Sequence, residues 1–97
     1  MANTAFSNNT GQSRYELQVD GRIAGFAEYE TNGDKVRFTH TEVEPEHEGK
    51  GVGSELAQKA LDDVREQGLR AVPSCKFIAK YIERNPEYAD LVSASEN

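Results

Sequence analysis

Residues 48–54 read EGKGVGS, three glycines at alternate positions running straight into a segment of helical periodicity. No other stretch restricts the fold as much. From Val52 onward Val52, Leu56, Ala57, Ala60, Leu61 and Val64 recur at spacings of three and four until Gly68, which predicts an amphipathic helix closed by a glycine. Before the glycines, KVRFTHTEV alternates Val36 and Phe38 on one face of a strand, and Pro45 ends it. A strand, a glycine loop and a helix in that order leave the first backbone N–H groups of the helix unsatisfied, with the helix dipole adding positive potential. Such a terminus binds phosphate, and glycine lets an anion approach the amides where a Cβ would hold it off. Neither common nucleotide signature fits. There is no Gly-Lys-Ser/Thr at the helix start, and the spacing is G-x-G-x-G rather than G-x-G-x-x-G. A glycine-softened connection without a ligand is the competing reading.

Around this unit the chain reads as one α+β domain. Residues 1–13, MANTAFSNNTGQS, have no periodicity and read as a flexible lead-in outside the core, and residues 93–97 as a polar tail. Tyr15, Leu17 and Val19 alternate strictly, Asp20-Gly21 marks a hairpin, and Ile23, Ala24, Phe26, Ala27 and Tyr29 follow. Asn32-Gly33-Asp34 repeats the turn, so a three-stranded antiparallel meander precedes the glycine loop. LRAVP is a short strand stopped by Pro73, expected to lie parallel to VRFTHTEV through a right-handed crossover. The remainder predicts two short helices broken at Asn85-Pro86, with Phe77, Ile78, Tyr81 and Ile82 on the buried side of the first.

Composition excludes several classes. At 97 residues there is room for one modest core. A net charge of −6 argues against nucleic acid or an anionic membrane as partner, because such binding relies on clustered Lys and Arg. No apolar run approaches the roughly 18 residues of a membrane span, and the first residues do not read as a secretory signal, so the cytoplasm is the expected location. Cys75 is the lone cysteine, which rules out an internal disulfide. His47 has no His or Cys at ligand spacing, so no metal site is expected.

The run Val43-x-Pro45-x-x-Glu48-Gly49-Lys50-Gly51-Val52-Gly53-x-x-Leu56 resembles motif A of the GCN5-related N-acetyltransferases, and VPSCKFIAKYIERNPEY resembles the very small YjdJ-like branch of that superfamily. The resemblance covers residues 14–92. It implies a reduced acetyltransferase fold whose two parallel central strands splay apart to admit the pantetheine arm of acetyl-coenzyme A. It further implies that backbone groups around Thr41 and Val43 face the pantetheine, and that amides of Gly49, Lys50, Gly51, Val52, Gly53 and Ser54 face the pyrophosphate. Where the family usually has Arg or Gln this chain has Glu48, one of four carboxylates at alternate positions from Glu42, and like charge there weakens anion binding. A weak cofactor site is the expectation.

Acetyl transfer to an amine needs a base and an acid in reach of their protons, or a cysteine that takes the acyl group first. Cys75, expected at a helix start where N–H groups lower a thiol pKa, is a candidate nucleophile or acyl-accepting thiol; the alternative is a buried packing residue. His40 is expected on the face of Val36 and Phe38, from which it could approach Cys75; a core histidine is the alternative. Tyr81 lies roughly where larger family members place a tyrosine that protonates the thiolate, with a core role as the alternative. Lys76, Lys80 and Arg84 share one side of their helix, either as a solvated face or as partners of the adenosine 3′-phosphate. The expected function is acetyl transfer from acetyl-CoA to an unidentified amine or thiol, on an amine, peptide or protein acceptor. Its rivals are a non-catalytic CoA-binding or thiol-sensing module and an interaction domain using the Glu42–Glu48 strip.

Overall fold

A computed structural model describes residues 3–92. Strands β1 (Thr4–Asn9), β2 (Arg14–Val19), β3 (Arg22–Asn32) and β4 (Lys35–Val43) precede helix α1 (Val52–Glu66), strand β5 (Arg70–Pro73) and helix α2 (Lys76–Arg84). Short 3-10 segments, Pro45–His47 and Pro86–Leu91, follow β4 and α2. The five strands lie in chain order in one sheet, antiparallel from β1 to β4, with β5 parallel to β4. No helix among the described residues is long and apolar enough to cross a membrane.

Both hairpin signals act as expected. Asp20 and Gly21 take positive φ at the tip between β2 and β3, which matches the right-handed twist of the strands it joins. The crossover through α1 also holds: Val36 pairs with Ala71 and Phe38 with Pro73. Val52, Leu56, Ala57, Ala60, Leu61 and Val64 of α1 are buried against the sheet, where they meet Tyr15, Leu17 and Phe38. Burying a Leu fully stabilises by roughly 1.5–3 kcal/mol, so this stripe seats the helix and with it the glycine loop. At the far end Leu69 N–H donates to the Val64 carbonyl (3.0 Å) around Gly68 at φ 72°, a glycine stop of the expected kind.

Three arrangements differ from the sequence reading. Residues 4–9, placed in the lead-in, form β1 in register with β2, so the antiparallel part has four strands rather than three. As an edge strand β1 is held by backbone pairing and needs little apolar alternation; Phe6 stacks on Tyr15 with centroids 5.5 Å apart, and Asn8 and Asn9 hydrogen-bond to Tyr29 and Glu16. On α2 only Ile78 and Ile82 of the expected four are buried; Tyr81 is half-buried and Phe77 is exposed. The third difference is a bulge. Tyr29 pairs with Phe38 and Glu28 with His40, so Thr39 is an extra residue in β4. One extra residue reverses the facing of everything beyond it.

Candidate functional site

The bulge and the end of β5 together open the sheet. Pairing between β4 and β5 stops at Phe38 and Pro73, whereas β4 stays paired to β3 as far as Val43. Pro73 has no N–H to continue the ladder, and the chain turns back with Ser74 N–H donating to the Val72 carbonyl (3.0 Å). Thr39 to Val43 therefore run past β5, with the β4 edge on that side left without a strand.

Over this gap lies a cleft of about 470 Å³. Thr41 and Val43 form its strand side, Gly49, Gly51, Val52, Gly53 and Ser54 its loop and helix side. Gly49 and Gly51 have φ of 79° and 81°, and a Cβ on either would meet nothing within 4 Å, so conformation rather than crowding calls for glycine there. Gly51 is the N-cap of α1 and supplies no side chain to the first turn; the first helical bond runs from Glu55 N–H to its carbonyl (3.0 Å). The N–H groups ahead of Glu55 thus stay available to an anion. Lys50 differs from the other loop residues. Its N–H donates to the His47 carbonyl (3.3 Å), and it does not line the cleft.

The third glycine answers to a different neighbour. A Cβ on Gly53 would lie 2.4 Å from Cζ of Phe77, so it is an aromatic ring that approaches the backbone there. Phe77 lines the cleft from α2, and it lines a second hollow of about 220 Å³ together with Ser54, Lys80, Tyr81 and Arg84. Neither role was read from the sequence. The signal was present in the stripe Phe77, Lys80, Tyr81 and Arg84, spaced i, i+3, i+4, i+7, for which the sequence predicts a buried side at Phe77 and Tyr81 and either a solvated face or partners of the adenosine 3′-phosphate at Lys80 and Arg84. His47, set aside above as a metal ligand, is half-buried and lines the cleft beside Glu48. Glu48 thus lies at the glycine-loop end of the cleft.

Cys75 is the N-cap of α2 and 8% exposed. Its thiol donates to Thr41 Oγ1 at 3.3 Å, across the gap between the diverging strands. The expected approach of His40 does not occur. A Cβ on Gly25 would point at Val52 and Leu56, so its neighbour Phe26 faces away from α1, and the His40 ring lies 6.3 Å from that of Phe26. There His40 is 53% exposed, with Nε2 3.5 Å from Glu42 Oε1. The bulge at Thr39 put it on the face opposite Val36 and Phe38. Tyr81 packs on Tyr88 (5.9 Å between centroids) and borders the second hollow rather than the cleft; burial, then Glu87 and Asp62, pushes its phenol pKa up. Lys80 borders the same hollow, and Lys76 borders neither. No group of three or more metal-ligating side chains occurs among the described residues.

A statistical model of the GCN5-related N-acetyl-transferase family matches residues 14–91. The chain belongs to that family. Over 59 residues it is 42% identical to Protein NATD1 of Gallus gallus and to Protein NATD1 of Homo sapiens, a match covering 60% of this chain and 54% and 52% of theirs. It therefore spans about half the length of the curated relatives it matches. Among solved structures, a GCN5-like protein from Staphylococcus aureus superposes with a TM-score of 0.73 at 23% identity, over 100% of this chain and 95% of that one. The ribosomal-protein-S18-alanine N-acetyltransferase from Escherichia coli superposes with a TM-score of 0.64 at 14% identity, over 89% and 76%. At these identities the likeness is one of fold. It agrees with the opened sheet and glycine loop of this small family member.

Proposed function

We propose that this protein binds acetyl-CoA in the cleft and transfers the acetyl group to an amine or thiol acceptor. The observation that carries the reading is the opening of β4 from β5 directly beside an uncapped, glycine-lined start of α1. Gly49, Gly51, Val52, Gly53 and Ser54 would hold the pyrophosphate, and the free edge of β4 at Thr41 and Val43 would hold the pantetheine arm. Bound there, the cofactor supplies an activated acyl thioester. The chain's own part is to keep that arm extended, to neutralise the phosphates with backbone N–H groups, and to offer Cys75 behind Thr41 as the candidate acyl-accepting thiol. Thr41 accepts the thiol's hydrogen bond and so fixes where its proton points.

One observation favours the second reading, a non-catalytic CoA-binding or thiol-sensing module. His40 faces away from the cleft, and among the described residues the Cys75 thiol donates to a hydroxyl rather than to a base. The test is calorimetric titration of acetyl-CoA, with ATP and NAD as controls, followed by thiol release on adding amine-bearing peptides or a protein acceptor. Saturable binding of acetyl-CoA alone with acceptor-dependent release supports the enzyme. Binding without release supports the module, and no binding removes both readings.

A further inference from the structure

β1 is the end strand of the sheet, and its outer side carries no further strand among the described residues. Edge strands usually carry a defence against pairing with another chain: a charge, a proline, a bulge or a short length. The other end of the sheet has several, since β5 is four residues long, opens on Arg70, ends on Pro73 and has Ala71 bridged by Val92. β1 has none of them. Its six residues, TAFSNN, contain no charge and no proline, and they pair with β2 in continuous register from Thr4 opposite Val19 to Asn9 opposite Arg14. The charges beneath the edge are satisfied locally: Glu16 accepts from Arg14 Nε at 2.7 Å and from Asn9 Nδ2 at 3.0 Å.

The Asn3 carbonyl accepts from Asp20 N–H at 2.8 Å, so in antiparallel alternation Ala5, Ser7 and Asn9 bond inward to β2 while Thr4, Phe6 and Asn8 turn their backbone groups outward. The Asn8 carbonyl already accepts from Thr10 N–H (3.1 Å) and has a second lone pair. Side chains alternate as well. Phe6 and Asn8 lie on the face of Tyr15 and Tyr29, whereas Ala5 and Ser7 are exposed on the other. About Phe6 the strand matches itself: Ala5 and Ser7 flank it as small residues, Thr4 and Asn8 as neutral polar ones.

We infer that β1 is a self-association surface, and that its occupant is β1 of a second copy, antiparallel about Phe6, so that two sheets join into one. A two-fold interface requires a patch complementary to itself. Here Phe6 meets Phe6, Ala5 meets Ser7 and Thr4 meets Asn8, which opposes no like charges in a chain of net charge −6. The pairing also carries the aromatic row of Phe6, Tyr15 and Tyr29, with centroids 5.5 and 5.1 Å apart, across the axis into the second copy. The protected β5 edge blocks further growth, so assembly closes at two. The cleft lies beside β4, away from the β1 edge, and stays open in both copies.

The test is sedimentation equilibrium of the full chain over a wide concentration range, with amide hydrogen exchange read residue by residue. The parent is expected to reach twice the monomer mass, and the amides of Thr4, Phe6 and Asn8 to exchange more slowly as concentration rises. Ala5→Lys/Ser7→Lys sets lysine against lysine on both sides of Phe6 and should weaken association about tenfold. Mixing it with Ala5→Glu/Ser7→Glu should restore a dimer containing one copy of each. Both positions are exposed, so the fold is expected to hold, and circular dichroism of each variant checks it. A monomer at every concentration overturns the inference, as do species that grow beyond two copies and a dimer indifferent to the lysine pair. A dimer whose Thr4, Phe6 and Asn8 amides exchange as fast as in dilute protein overturns it without recourse to any variant.

Discussion

The thiol of Cys75 donates to the hydroxyl of Thr41 across 3.3 Å, joining residues 34 apart in sequence at the point where β4 and β5 have parted. It ties the start of α2 to the strand on which the cofactor arm is proposed to lie.

If Cys75 accepts the acyl group, the protein incubated with acetyl-CoA gains one acetyl mass that hydroxylamine removes, and Cys75→Ser does not. Thr41→Val leaves the thiol without its acceptor in a nearly buried site, so it should cost about 1 kcal/mol of stability and alter the rate of thiol alkylation. Intact mass spectrometry and alkylation kinetics read both. An unmodified parent protein would sink the nucleophile role.

Gly53→Ala separates stability from binding. Replacing a helical glycine by alanine favours the helix by about 1 kcal/mol, and the atom it displaces is the far end of a side chain with room to swing into solvent. The melting temperature should therefore hold or rise while CoA affinity falls. A marked drop in melting temperature would mean that the ring is fixed more firmly than its exposure indicates.

Gly51→Ala has the opposite signature. Nothing lies within 4 Å of its missing Cβ, but φ is 81°, and an L-residue in the left-handed region costs roughly 1–2 kcal/mol. Denaturant unfolding should show that loss, and Gly51→Asn should recover part of it. Equal stability of parent and Gly51→Ala would contradict the loop conformation.

Glu48 borders the glycine-loop end of the cleft, where the pyrophosphate is proposed to bind, from an exposed position. Reversing its charge should tighten acetyl-CoA binding by roughly fivefold, about 1 kcal/mol for a screened surface charge, and the gain should shrink at high salt. Titrations of Glu48→Arg at two ionic strengths measure it. Unchanged affinity at low salt would show that the carboxylate turns away from the ligand.

Glu16 is 6% exposed and accepts hydrogen bonds from Asn9 Nδ2 (3.0 Å) and Arg14 Nε (2.7 Å), which hold its carboxyl pKa below the ordinary value of 4.5. A carboxylate with a depressed folded-state pKa adds stability above its unfolded pKa and loses it as pH falls through the folded one. Glu16→Gln should thus be less stable than the parent at pH 7 by roughly 1 kcal/mol, with the gap closing below about pH 4.5. Thermal unfolding across that range checks the sign; a gap that widens in acid would falsify the assignment.

Much of the architecture was legible because it is written in near neighbours. Asp20-Gly21 and the spacing of Val52 to Val64 specify a hairpin and a helix through backbone sterics and periodicity, and the strand, glycine loop and helix in sequence carry the family resemblance. The order of β4, α1 and β5 then fixed the parallel pairing through the handedness of the crossover. Tertiary structure alone decided the rest. No glycine or proline marks Thr39 as a bulge, and the extra residue arises from how β3 and β4 share their ladder, yet it sends His40 to the face away from Cys75. β1 lacks apolar alternation because its hydrogen bonds come from β2. Gly53 reads as one more anion-loop glycine until α2 folds back and brings Phe77 onto it, and Cys75 finds Thr41 only when β4 and β5 part. Local sterics act within a few residues and show in the sequence, whereas facing and contact between distant segments depend on where the whole sheet ends its pairing.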